Sequence, residues 1–189
     1  VLREYVNLGW VYNWSSFPNK ATTLARSSMA DFDYNYTDKY SALNVIPCLQ
    51  WNEGSNPARL YDRTNGKLSD EIASEADKFK PETYAAYADV AYQYAARYGS
   101  TNNRYLFDNV STHSMGTVKT ALRCIKWLEL GNEPNGEDQS GATPYQLAAL
   151  TSAAYDGHQR TILADTFDSY GTSYFLGAKN ADPNFKLAM

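Results

Sequence analysis

Histidine, cysteine and net positive charge are all scarce in this chain of 189 residues, and each scarcity removes a class of function. The two histidines, His113 and His158, stand in no HExxH or similar ligand spacing, so no metal site is expected. The two cysteines, Cys48 and Cys124, are too few for a disulfide framework. On the strands identified below, Cys48 falls near the end of one and Cys124 near the start of another. At a rise of about 3.3 Å per residue that offset is too long for a disulfide, so two buried thiols are expected. A formal charge of −4 leaves no basic stripe, which makes nucleic acid and anionic membrane poor partners. No apolar run approaches the roughly 20 residues of a membrane span. No charged stretch followed by an apolar one opens the chain, so a signal peptide is expected to be absent or already removed. Also missing after every candidate strand is a G-x-G-x-x-G or G-x-x-x-x-G-K turn, so no nucleotide cofactor is expected. There is no G-x-S-x-G elbow to support acyl transfer.

What the chain has in quantity is aromatic surface: 16 Tyr, 7 Phe and 4 Trp make up 14% of it. Tyr and Trp join an apolar face to a polar tip, which suits a wet site that grips amphipathic molecules such as sugars, although most individual tyrosines are expected in the core. With 43% apolar and 20% charged residues the composition is that of an ordinary globular domain. Three sequons, at Asn13, Asn35 and Asn109, would accept glycans only in a eukaryotic secretory route.

Along the chain, extended and helical patterns alternate. Tyr5 to Tyr12 reads as a strand. Phe32, Tyr36, Tyr40 and Leu43 recur at helical spacing, with Asn44 as the stop, and Val45 to Trp51 is a short apolar strand. A possible short helix carries Ile72, Ala76 and Phe79. A clearer helix starts at Pro81, places Tyr84, Ala88, Ala91, Ala95 and Tyr98 on one stripe, and closes at Gly99. Residues 100–117 read as loop and Ile125 to Gly131 as a strand. Thr143-Pro-Tyr-Gln146 is a capping box opening a helix to about Tyr155, with Asp156-Gly-His158 as its C-terminal cap. Phe185 to Met189 begins a further strand.

This alternation predicts an α/β fold with a parallel sheet. Without a phosphate-binding turn, a (β/α)8 TIM barrel is favoured over an open doubly wound sheet. Such a barrel needs about 250 residues, and only four strands are legible. Residues 1–189 are therefore expected to form part of a barrel, its remaining strands supplied from outside them.

The apolar run in WLELGNEPNG, Trp127 to Gly136, stops at Asn-Glu-Pro, which delivers a carboxylate and an amide to a strand's C-terminal tip. Retaining hydrolysis of a glycosidic bond needs one protonated carboxyl to donate to the leaving oxygen. It needs a second carboxylate, about 5 to 5.5 Å away, to attack the anomeric carbon. Glu133 qualifies as the first. Glu53, in Gln50-Trp-Asn-Glu53, repeats the Asn-Glu pattern at another strand tip and is a candidate second carboxylate, with substrate binding or a loop salt bridge favoured over a direct catalytic role. Trp10 and Trp51, at or near strand tips, are candidate sugar-stacking platforms. The connection from Gly54 to Lys80 is expected on the same face, with Arg59, Tyr61, Asp62 and Arg63 lining a wall of the cleft.

The segment YAARYGS followed by IKWLELGNEPNG resembles the fourth βα unit of the retaining glycoside hydrolases on (β/α)8 barrels, the clan of cellulases, mannanases, xylanases and β-xylosidases. The resemblance implies that Glu133 is the acid/base, that Asn132 holds the sugar 2-hydroxyl, and that Asn135 of the same motif contributes to substrate binding. REYVNLGW resembles the second strand, where the clan often carries an active-site arginine, which makes Arg3 the matching residue. VIPCLQWNEG and FKLAM would be the third and fifth strands, so the likeness covers units two to five. The nucleophile of that clan lies on the seventh strand, outside this chain. The implied protein is a secreted or cell-surface hydrolase of a β-linked polysaccharide. The alternative is a carbohydrate-binding or structural surface protein that keeps the barrel without the chemistry.

Overall fold

The computed structural model describes residues 1–7, 32–50, 61–62, 67–68, 81–102, 118–133, 142–158 and 176–189. Their centre is a sheet of four parallel strands: β1 (Leu2–Asn7), β2 (Val45–Gln50), β5 (Trp127–Leu130) and β6 (Lys186–Ala188). These pair in the order β1-β2-β5-β6, which is also chain order. Between β2 and β5 a separate two-stranded antiparallel ladder joins β3 (Tyr61–Asp62) to β4 (Lys67–Leu68). The fold is thus α/β with a parallel sheet, as the alternation of patterns predicts.

Register separates the sheet's two faces. Leu2 pairs with Val45, Val6 with Leu49 and Leu49 with Leu130, and Val6, Val45, Leu49, Leu128 and Leu130 all lie in the buried core. The opposite face carries Arg3, Tyr5, Cys48 and Glu129, since Tyr5 pairs with Cys48 and Cys48 with Glu129. Side chains alternate across a strand, so one face meets the helices and the other keeps its polar groups.

Among the described residues four helical pieces accompany the sheet: α1 (Phe32–Tyr34, continued by a π-turn over Asn35–Lys39), α2 (Ala85–Tyr98, preceded by a 3-10 turn over Pro81–Tyr84), α3 (Pro144–Asp156) and the short α4 (Ala178–Ala181). The first helix stops at Lys39, short of the predicted stop at Asn44, and Leu43 is exposed rather than part of its stripe. The wider turn, in which Tyr40 N donates to Asn35 O, ends the helical ladder early. Helix α2 is buried well beyond the predicted stripe: Tyr87, Val90, Tyr92, Tyr94, Ala96 and Arg97 are as enclosed as Ala88, Ala91 and Ala95. It packs on α3 and α4, while Tyr94 and Tyr98 stack with Tyr36 of the first helical segment, so every side has a neighbour.

Gly99 does close α2, but not in the left-handed conformation that usually favours glycine, since its φ is −72°. Space decides the residue: a Cβ there would lie 2.3 Å from the Ala95 carbonyl and 2.5 Å from Asp182 Oδ2. Asp182 in turn accepts from Ser100 N at 2.6 Å and Thr101 Oγ1 at 2.8 Å, which locks the helix end to the segment entering β6.

The capping box of α3 is present, with Gln146 N donating to Thr143 Oγ1 at 3.4 Å and Thr143 N to Gln146 Oε1 at 2.8 Å. Thr143→Ala is expected to cost about 1 kcal/mol of stability. A denaturant midpoint unchanged by the substitution would show that the cap contributes nothing. At the other end Gly157 adopts the left-handed conformation (φ 69°), as the cap reading expects, and His158 Nδ1 lies 2.6 Å from Ser152 Oγ.

Strand bounds differ from the sequence reading by a few residues. β1 begins at Leu2, ahead of Tyr5, because Leu2 N bonds Asn44 O and brings the chain into register from its start. Ile125 makes only an isolated bridge to Val45 before β5 proper. Both cysteines are free, Cys48 buried and Cys124 half-buried. The possible helix over Ile72 to Phe79 and most of the predicted loop at 100–117 lie outside the described residues.

Candidate functional site

The polar face is organised by one long side chain. Arg3, on β1, reaches over β2 to β5, where its Nε lies 2.5 Å from Glu129 Oε2 and its Nη2 2.6 Å from Glu129 Oε1. Two strand spacings amount to about 9.6 Å, and the reach is open because the residue between is the small Cys48, whose Sγ lies 3.4 Å from Nη2. The Glu129 bond is the main reason the Arg3 pKa is raised. A bidentate fork of this kind fixes a guanidinium in direction as well as place.

From there the guanidinium points at the tip of β5. Arg3 Nη2 donates to Asn132 Oδ1 at 3.0 Å, Nη1 donates to Tyr5 Oη at 2.5 Å, and Tyr5 Oη donates to Asn132 Oδ1 at 3.4 Å. With its oxygen engaged by two donors, Asn132 has its Nδ2 left without a bond to the described residues. Cys48 donates to the Gly131 carbonyl at 3.4 Å and holds the turn from beneath. Burial, followed by the charge of Glu129, pushes the Cys48 thiol up to about 12, so it serves here as a neutral donor and not as a nucleophile.

The turn itself is unusual. Gly131 has φ 83° and Glu133 has φ 44°, the latter in the left-handed region that costs a non-glycine residue about 1–2 kcal/mol. Gly131 N donates to Leu49 O at 2.9 Å, and the buried Tyr87 hydroxyl donates to the same carbonyl at 2.8 Å, so helix α2 and strand β2 together hold the turn. Glu133 is exposed, and its carboxylate makes no hydrogen bond or ion pair with the described residues.

Of the residues singled out from sequence, the structure brings Arg3 and Asn132 into contact, and Glu133 follows Asn132 in the same turn. Trp10, Trp51, Glu53 and Asn135 lie outside the described residues, as do Arg59 and Arg63. Tyr61 and Asp62 form β3 of the small ladder. The sequence reading missed Glu129 and Tyr5. Glu129 is the one charged residue inside the apolar strand WLEL, and its register with Cys48 puts it on the polar face.

A cavity of about 610 Å³, lined by Pro81, Tyr145, Ala148 and His158 among others, lies against α3, and no site candidate contributes to it. Among the described residues no group of three or more His, Cys, Asp or Glu is arranged to hold a metal ion, and no helix is long and apolar enough to cross a membrane. No protein-family model, curated protein or solved structure matches the chain.

Proposed function

We propose that this chain is part of a (β/α)8-barrel glycoside hydrolase that cleaves a β-linked polysaccharide or oligosaccharide with retention, with Glu133 as general acid/base. The observation that carries the reading is the juxtaposition of Arg3, Asn132 and Glu133 at the C-terminal tip of β5, the end where barrel enzymes hold their chemistry. Strands that pair in chain order, with the core on one face and ion-paired polar groups on the other, support the barrel.

In this mechanism Glu133 gives its proton to the leaving glycosidic oxygen while a second carboxylate, supplied from outside residues 1–189, attacks the anomeric carbon. Glu133, now ionised, then takes a proton from the water that hydrolyses the glycosyl-enzyme. Asn132, its oxygen held by Arg3 and Tyr5, offers its Nδ2 donors to the sugar 2-hydroxyl, a contact that strengthens as the transition state forms. A polymeric substrate of this kind makes the protein secreted or cell-surface.

The test, on the full-length protein that carries the second carboxylate, is to incubate it with β-linked glucan, mannan and xylan and to follow the anomeric configuration of fresh product by proton NMR. Retained β product, lost in Glu133→Ala, is expected. Inverted product would refute the two-step mechanism, and binding without hydrolysis would assign the protein to carbohydrate recognition.

A further inference from the structure

The donors of Arg3 are almost fully spent inside the protein. Of its five N–H groups, Nε and one on Nη2 go to Glu129, the other on Nη2 goes to Asn132, and one on Nη1 goes to Tyr5. Nη2 also lies 3.4 Å from Cys48 Sγ, and among the described residues a single N–H on Nη1 has no partner. Recognition of a carboxylate by arginine uses two parallel N–H bonds, and this arginine has no pair to offer. One N–H does match a hydroxyl.

Charge leads to the same conclusion. Arg3 faces the carboxylate of Glu129, and Glu133 stands beyond Asn132. Among the described residues the cluster of Arg3, Glu129 and Glu133 carries no net positive charge with which to attract an anion, whether or not Glu133 holds its proton. Lys186, the nearest cation along the same sheet, stands over the Trp127 ring at 4.7 Å at the start of the strands, away from the tips. The donors that remain among the described residues, Asn132 Nδ2 and the last Arg3 N–H, suit neutral oxygen acceptors.

We propose that this site takes a neutral glycosyl unit and rejects a uronic acid, and that Glu129 sets the choice by occupying Arg3. The inference rests on the glycoside hydrolase reading for its substrate class, but the charge rule holds for binding as well as for turnover. Glu129 acts through Arg3 and is a specificity residue, not a member of the reacting pair. Replacing its carboxylate by an amide frees the fork and leaves a cation at the tip.

The experiment compares 4-nitrophenyl β-glucoside, β-galactoside, β-mannoside and β-xyloside with the β-glucuronide and β-galacturonide, by kcat/KM and by calorimetric titration. In the unaltered protein the best neutral glycoside is expected to exceed the best uronide by about 100-fold or more, the scale of a like-charge or unpaired-group penalty. In Glu129→Gln that ratio is expected to narrow by about tenfold or more, through a lower KM or Kd for the uronides. Arg3→Gln, which removes the cation, is expected not to improve uronide binding. A uronide preference in the unaltered protein overturns the proposal, and that comparison stands even should Glu129→Gln fail to fold. A folded Glu129→Gln with the original ratio overturns the role of Glu129. Neutral-selective binding without any turnover supports the charge rule and refutes the hydrolase, whereas turnover that favours uronides does the reverse. Binding of none of the six overturns both.

Discussion

Glu133→Gln is expected to lower hydrolysis of natural β-glycosides by about 10² to 10⁴, the usual worth of positioned acid/base assistance. The substitution keeps shape and hydrogen-bonding capacity at an exposed position, so the fold should be unaffected. What it removes is the proton that the leaving sugar needs. A 2,4-dinitrophenyl glycoside leaves without that proton, and its first step should be nearly intact. The glycosyl-enzyme should then accumulate, because the water that must clear it has lost its base. Azide needs no base, so added azide should restore turnover and give a β-glycosyl azide. Equal losses on both substrate types, with no azide effect, would make Glu133 a binding residue. The left-handed backbone at Glu133 sharpens the design, because it is the turn set by Gly131 and Leu49, not the carboxylate, that holds the conformation.

How far such a site can be read from sequence is shown by Asn132 and Glu129. Asn132 and Glu133 were legible because an apolar run ending in Asn-Glu-Pro has few explanations besides a strand tip. The parallel sheet was legible too, since short apolar strands alternating with helical spacing leave little choice of fold class. Glu129 was not, because its role depends on a partner 126 residues away. Nothing in WLEL by itself says whether its charge meets solvent or an arginine. The register of β1, β2 and β5 decides that, and register is a tertiary property. The small Cys48 belongs to the same class: its value lies in what it leaves open between Arg3 and Glu129. The all-round burial of α2 was hidden for a related reason. Its sequence marks one stripe, and only the neighbouring helices turn the other sides inward as well.

That burial includes an ion pair on which the helix layer depends. Arg97 has a fully buried side chain, and Asp33 meets it with two bonds, Nε to Oδ1 at 2.8 Å and Nη2 to Oδ2 at 2.7 Å. Tyr98 Oη adds a bond to Oδ1 at 3.2 Å and Lys119 Nζ one to Oδ2 at 3.1 Å. The pair joins α1, α2 and residues 118–124, and the last of these lead directly into β5 and the candidate site. Asp33→Ala would take from the buried Arg97 guanidinium a carboxylate that meets it with two bonds, and the expected cost is about 3–5 kcal/mol, enough to unfold a marginal domain. Adding Arg97→Met should recover a large part of that loss, because it removes the buried charge while keeping volume.

The pH dependence follows from the carboxyl. Burial by itself would raise the Asp33 pKa, but the Arg97 bonds and Lys119 outweigh it and hold the group below the ordinary carboxylate range. A depressed pKa in the folded state means that the contribution is fully present above the unfolded value of about 3.9 and is lost as pH falls through the folded one. Denaturant melts of the unaltered protein and Asp33→Asn should therefore differ most at neutral pH and converge on acidification below about pH 4. A constant gap across the acid range would mean that Asp33 stabilises by shape and not by charge. A loss under about 1 kcal/mol for Asp33→Ala would show that the helix layer holds Arg97 without it.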